Sequence, residues 1–244
     1  MKTFLITGVS SGLGRAFAVR ALEAGHRVVG TVRKPQDAKV FEGLAPDRAH
    51  ARLLDVTDDA AVSTTVAEVE ETVGPIDVVI ANAGYGIEGI FEETSMGGLM
   101  AVPGMAAYCA SKFAAEGMLE SIRKEVAGFG IRVTAIEPGS FRTDWAGRSM
   151  TRAEHTIADY DALFDPIRAA RLAASGNQLG NPEKAADAVL AILDTADPPA
   201  HLVLGSDALR LIGEARAAVD DDIRRWENLS RSTDFRDGAQ LASN

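Results

Sequence analysis

The sequence predicts an α/β fold: one doubly wound parallel sheet in a single domain. Three observations carry this. Short runs that are apolar throughout alternate with helical stretches, the pattern of a parallel sheet covered on both faces. A glycine-rich turn, TGVSSGLG, joins the first such run to the first helical stretch. No proline- or serine-rich linker divides the 244 residues, which favours one continuous core.

The elements follow in order. FLIT, at 4 to 7, is the first strand, and the helical spacing of apolar residues in LGRAFAVRALEAG predicts a helix closed by Gly25. RVVGTV and HARLLDV are the second and third strands. Thr57 is expected to cap the next helix, with Asp58 and Asp59 in its first turn. That helix runs through AAVSTTVAEVEETV to Gly74, and IDVVIANAG supplies a fourth strand and a turn. Further on, MAAYCASKFAAEGMLESIRKEVAGFG reads as a long helix ending near Gly130, and IRVTAIEPG as a buried strand. Residues 140 to 180 are mixed, with Trp145, Met150, His155, Tyr160 and Phe164 among polar residues. Asn181 and Pro182 start a helix with a good cap and a proline at its first position. HLVLG is a last strand, and Ser206 is expected to cap a helix reaching about Leu229. The domain is therefore expected to span 1–229, with a polar tail over 230–244.

Composition narrows the function. The formal net charge of −10 is wrong for coating nucleic acid, where clustered Lys and Arg are needed. No apolar run approaches the roughly 18 residues of a membrane span, and MKTFLITG is a poor signal peptide. A single cysteine, Cys109, suits the reducing cytoplasm and is read as a packing residue.

The turn holding Gly8, Gly12 and Gly14 suits a diphosphate. Glycines let backbone approach a ligand closely, and a helix N-terminus offers N–H groups and partial positive charge. Three further motifs follow in order: NAG at 82–84, Y-x-x-x-K at 108–112, and Pro138-Gly139 followed by Thr143. Together with T-G-x-x-x-G-x-G they resemble the short-chain dehydrogenase/reductase family over nearly the whole chain. The resemblance implies a Rossmann-type fold and hydride transfer between a nicotinamide cofactor and a small carbonyl or alcohol substrate. It implies a cofactor site drawn from Gly8, Ser10, Ser11, Gly12, Leu13, Gly14, Asp55, Val56, Asn82, Ala83, Gly84, Pro138, Gly139 and Thr143. Asp55 would accept a bond from the adenine amino group, and Thr143 would bond the carboxamide. Residues 144 to 180 would form the substrate lid, within a mixed region of about 140–180.

The second strand ends in GTVRK. An acid there would hold the ribose 2′-hydroxyl of NAD; Arg33, with Lys34 beside it, instead suits a 2′-phosphate, so NADP is expected over NAD. Tyr108 and Lys112, four apart, share one helix face. A nearby ammonium favours a phenolate and brings a tyrosine closer to a working general acid/base. In the family this tyrosine exchanges a proton with the substrate oxygen, and the lysine also bonds the nicotinamide ribose. The family serine lies thirteen residues before the tyrosine, at Ser95, where it would hold the substrate oxygen.

The middle of the chain departs from the family. Only YGIEGIFEET separates Gly84 from Ser95, where the family carries a helix and a central strand; a βαβ unit takes roughly 30 residues or more. Three explanations stand: an edited or incomplete version of an intact enzyme, a natural deletion that binds cofactor but catalyses poorly, or a chance match at Ser95. EETS suits the start of the absent helix and SMGGLM the end of the absent strand, a junction pattern that favours the first two. The catalytically impaired alternative would make the chain a dinucleotide-binding sensor or scaffold. The family commonly forms homo-oligomers through two helices, of which the sequence keeps only the one with Tyr108.

Overall fold

A computed structural model describes residues 1–83, 86–87, 95–143, 150–151 and 161–235. Its elements in chain order are β1 (Thr3–Ile6), α1 (Gly12–Glu23), β2 (Arg27–Val32), α2 (Pro35–Glu42), β3 (Ala49–Leu53), α3 (Asp59–Thr72) and β4 (Val78–Ile80). They continue with β5 (Gly86–Ile87), α4 (Ala106–Val126), β6 (Ala135–Pro138), β7 (Met150–Thr151), α5 (Asp161–Ala174), α6 (Pro182–Ile192), β8 (His201–Leu204) and α7 (Ser206–Arg231).

Both faces of the first sheet are covered, as a doubly wound fold requires. Phe4 and Ile6 of β1 point one way, into a core with Val28 and Val32 of β2, Phe17, Ala18 and Ala21 of α1, Phe41 of α2, and Ala185 and Val189 of α6. Leu5 and Val29 point the other way, against Val69 of α3. A third cluster gathers Met100 with Ala208 and Ile212 of α7. Among the described residues no helix is long and apolar enough to cross a membrane.

Among the described residues every ladder is parallel, and the strands fall into three sets: β3-β2-β1-β4, β6-β8 and β5-β7. Among the described residues no ladder joins β4 to β6. The flanking strands therefore do not close the gap by pairing with one another. β4 keeps β1 as its partner, and Val79 in its middle is 62% exposed, unusual for a strand inside a doubly wound sheet.

Two expected caps move by one residue. Asp58, not Thr57, caps α3: its carboxylate accepts from the Ala61 amide at 3.0 Å. Thr57 is drawn instead to Asp55, whose Oδ1 accepts from its amide at 3.0 Å and its hydroxyl at 2.8 Å. Gly205, with φ of 104°, precedes α7, and Ser206 is the first helical residue. The cap at Asn181 is where the sequence puts it, its Oδ1 accepting from the amides of Glu183 and Lys184.

Candidate active site

The glycine turn is braced from two strands. Gly8 and Gly12 have φ of 73° and 62°, left-handed values that favour glycine. The amides of Gly8 and Val9 donate to the Thr31 carbonyl on β2, each at 3.1 Å. From the end of β4, Asn82 Nδ2 donates to the carbonyls of Thr7 (2.9 Å) and Gly8 (3.2 Å). Thr7 answers with its hydroxyl, which accepts from the amides of Asn82 (2.8 Å) and Ala83 (2.7 Å). A Cβ on Gly14 would run into the Asn82 amide and the Gly8 carbonyl, so this position admits no side chain. Thr7→Val leaves two amides without their acceptor. It is expected to lower stability by roughly 1–3 kcal/mol, read from the midpoint of a urea melt.

The other residues expected at a dinucleotide lie on several elements. Ser10 is exposed, Ser11 precedes α1 without capping it by its side chain, and Leu13 lies in the first turn of α1. A Cβ on Gly12 would stand 3.9 Å from Thr143 Cβ, so Thr143 lies against the turn. Pro138 and Gly139 close β6, where the Gly139 amide donates to the Leu204 carbonyl at 2.8 Å. Asp207 accepts from the Ser140 amide at 2.8 Å. Arg33 and Lys34 are exposed past the end of β2. Asp55 and Val56 follow β3; the two bonds from Thr57, aided by the Arg33 charge, hold the Asp55 carboxyl below its ordinary value. Gly84 lies outside the described residues, as do the side chains of Trp145, Met150, His155 and Tyr160.

Ser95, Tyr108 and Lys112 come together around a short helical turn, Met96–Gly98. Ser95 caps it, its Oγ accepting from the Gly97 amide at 3.3 Å. A Cβ on Gly97 would stand 3.8 Å from Ser95 Oγ and 2.9 Å from Tyr108 Cε1. The serine hydroxyl and the phenol ring thus flank one point that glycine leaves open. Lys112 is buried on α4, with Nζ 5.1 Å from the centre of the Tyr108 ring. Cys109 is buried as packing.

Sequence reasoning missed Thr7 as the knot between β1 and β4, and Gly97 as the residue that admits the phenol. Thr7 carried a signal, standing directly before the first glycine of the turn. Gly97 carried none, because its role depends on Tyr108, eleven residues further on.

A parallel sheet whose first βα turn is rich in glycine, with a Tyr–Lys pair on a later helix face, is the arrangement the sequence resemblance leads one to expect. The family described as short chain dehydrogenase matches residues 2–96 and 90–154. "Oxidoreductase BOA17" of Botryotinia fuckeliana is 34% identical, the match covering 94% of this chain and 98% of that protein. The "NADPH-dependent 3-dehydrocapnine reductase" of Ornithobacterium rhinotracheale is 28% identical over 67% of this chain and 74% of its own length. A crystal structure of a short-chain dehydrogenase from Streptomyces avermitilis superposes with a TM-score of 0.86. It is 32% identical and covers 96% of this chain and 100% of the other. The chain belongs to the short-chain dehydrogenase family and is a nicotinamide-dependent oxidoreductase of that family.

The same matches bear on the middle of the chain. The family match falls in two segments that meet at residues 90–96. The alignment with the Botryotinia protein runs 272 residues, longer than this chain's 244, so part of it has no counterpart here.

Proposed function

We propose that the protein is an NADP-dependent carbonyl reductase or alcohol dehydrogenase with Tyr108 as its general acid/base. The observation that carries this is the meeting of Ser95, Tyr108 and Lys112 around Gly97. The glycine cradle fits a dinucleotide: Gly8 and Gly12 adopt turns that favour glycine, and Gly14 leaves room only for backbone. Gly8, Ser10, Ser11, Gly12, Leu13 and Gly14 would hold the diphosphate at the start of α1, where amides and helix dipole favour an anion. Asp55 and Val56 would border the adenine, and Asn82, Ala83 and Gly84 would line the nicotinamide half. Pro138, Gly139 and Thr143 would close over the carboxamide. Arg33 would grip a 2′-phosphate, a reading supported by the named NADPH dependence of the Ornithobacterium relative.

The bound cofactor supplies or accepts the hydride. Ser95 donates a hydrogen bond that fixes the substrate oxygen. Tyr108 gives that oxygen a proton during reduction and takes it back during oxidation. Lys112, buried with its Nζ near the phenol ring, would set a positive charge beside a developing phenolate and would hold the ribose. Residues 140–180 would serve as the substrate lid. Its described helix α5 lies over the loop that enters α4: Arg171 donates to the Pro103 carbonyl at 3.0 Å, and Phe164 fills the space beside Gly104. A small-molecule substrate and a cytoplasmic setting belong to the same reading.

A second reading, a dinucleotide-binding protein with impaired catalysis, is favoured by one observation: β4 and β6 share no ladder among the described residues. Mixing the purified chain with NADPH and a panel of ketones separates the two. The enzyme reading expects NADPH consumption. Binding of NADPH with no ketone reduced would leave the second reading standing. Gly97→Ala places a methyl where the Tyr108 ring lies; a misplacement of about 1 Å lowers kcat roughly a hundredfold. That loss is expected in steady-state kinetics, with NADPH affinity unchanged.

A further inference from the structure

Three ionisable side chains to which the proposed function gives no part converge on one point. Glu116 follows Lys112 by one turn on the same face of α4. Glu137 stands on β6, just before Pro138, and His201 opens β8 opposite Ala135, two positions along from Glu137. His201 Nδ1 lies 2.6 Å from Glu137 Oε1 and 3.6 Å from Glu116 Oε2. One potential ligand atom from each residue lies within 4.8 Å of the other two. The Glu137 side chain is fully buried and that of Glu116 is 8% exposed, whereas His201, at 39%, opens a path to solvent.

These carboxylates are poorly served by their surroundings. Among the described residues neither oxygen of Glu116 meets a hydrogen-bond partner, and nor does Oε2 of Glu137. Carboxylates buried this way are costly unless a cation or a proton compensates them. The burial and the neighbouring Glu137 push the Glu116 carboxyl up to about 7. Burial also raises Glu137, against the pull of His201 and the charge of Arg216.

We propose that Glu116, Glu137 and His201 form a site for a divalent transition metal of the zinc type, which pins α4 to the β6–β8 ladder. One imidazole nitrogen with two carboxylate oxygens is a donor set that zinc accepts, with a fourth position open at the exposed side. Magnesium and calcium instead prefer oxygen throughout. Two positive charges offset two buried carboxylates without removing either from the core. Ligand distances of about 2.0–2.2 Å require His201 and Glu137 to part slightly, which the half-exposed ring allows. None of the three side chains is among the residues assigned to the cofactor or to proton transfer, so the test needs no turnover.

The full chain, free of any tag, is stripped with a chelator, dialysed and titrated with zinc chloride at neutral pH by calorimetry. One equivalent is expected to bind at micromolar concentration or tighter and to raise the melting temperature, with no response to magnesium. Cobalt(II) in place of zinc is expected to give visible d–d bands. His201→Ala and Glu116→Gln are each expected to weaken zinc binding at least tenfold. If Glu116→Gln does not fold, His201→Ala decides alone, since it trims a half-exposed ring. A wild-type chain that takes up no zinc overturns the proposal, because a shared proton then suffices for the cluster. Equal uptake by wild type and His201→Ala overturns it as well, by placing the ion on other groups.

Discussion

Tyr108→Phe is expected to lower kcat by roughly 10²–10⁴-fold, the range that general acid–base catalysis supplies, while NADPH affinity stays nearly unchanged. The substitution removes one hydroxyl and keeps the ring. That ring packs where Gly97 leaves space and lies near the Lys112 ammonium, and neither relation depends on the oxygen. The fold and the cradle at Gly8, Gly12 and Gly14 are expected to stand while the proton path is cut. Turnover measured beside NADPH fluorescence separates the two effects. Activity at the wild-type level would remove Tyr108 from the mechanism.

Arg33→Asp is expected to shift the NADP/NAD preference toward NAD by roughly a hundredfold or more, since like-charge juxtaposition costs several kcal/mol. Arg33 is exposed past the end of β2, so the exchange leaves the core intact. An acid there repels a 2′-phosphate and accepts from a 2′-hydroxyl, so affinity for NADP falls while that for NAD rises. Asp55 sits close enough to feel the Arg33 charge, and its carboxyl is expected to rise toward its ordinary value in the variant. Ratios of kcat/KM for the two cofactors decide the matter; an unchanged ratio rejects Arg33 as the selector.

Much of this was legible in the residues because the relevant signals are local. The largely apolar β1 and β2, and the turn between β1 and α1, announce a parallel sheet with a glycine turn at its first crossover. The four-residue spacing of Tyr108 and Lys112 puts them on one face of any helix. The ten-residue span before Ser95 is too short for a βαβ unit, and the separate β4 and β6 ladders agree with that arithmetic. What escaped is what local pattern does not encode. PQDAKVFE has a weak apolar stripe, yet α2 forms because Phe41 is drawn wholly into the core beneath β2. In α5, Pro166 inside the helix masks a periodicity that the segment otherwise has. Thr57 looks like a cap, but Asp55, two residues before it, binds both its donors first. Glu116, Glu137 and His201 come from three distant segments, and only the β6–β8 register and one further turn of α4 bring them together.

The most direct test of the central claim is a crystal structure of the chain with NADP⁺ bound. The account predicts a diphosphate at the amides of Gly12 to Gly14 and a nicotinamide ring close to Tyr108. One carbonyl group would then bridge them, its carbon about 3–3.5 Å from the hydride-carrying C4 and its oxygen about 2.6–3.2 Å from the phenol oxygen. A nicotinamide lodged in the cradle but out of reach of the Tyr108 phenol, across the break between β4 and β6, would contradict it.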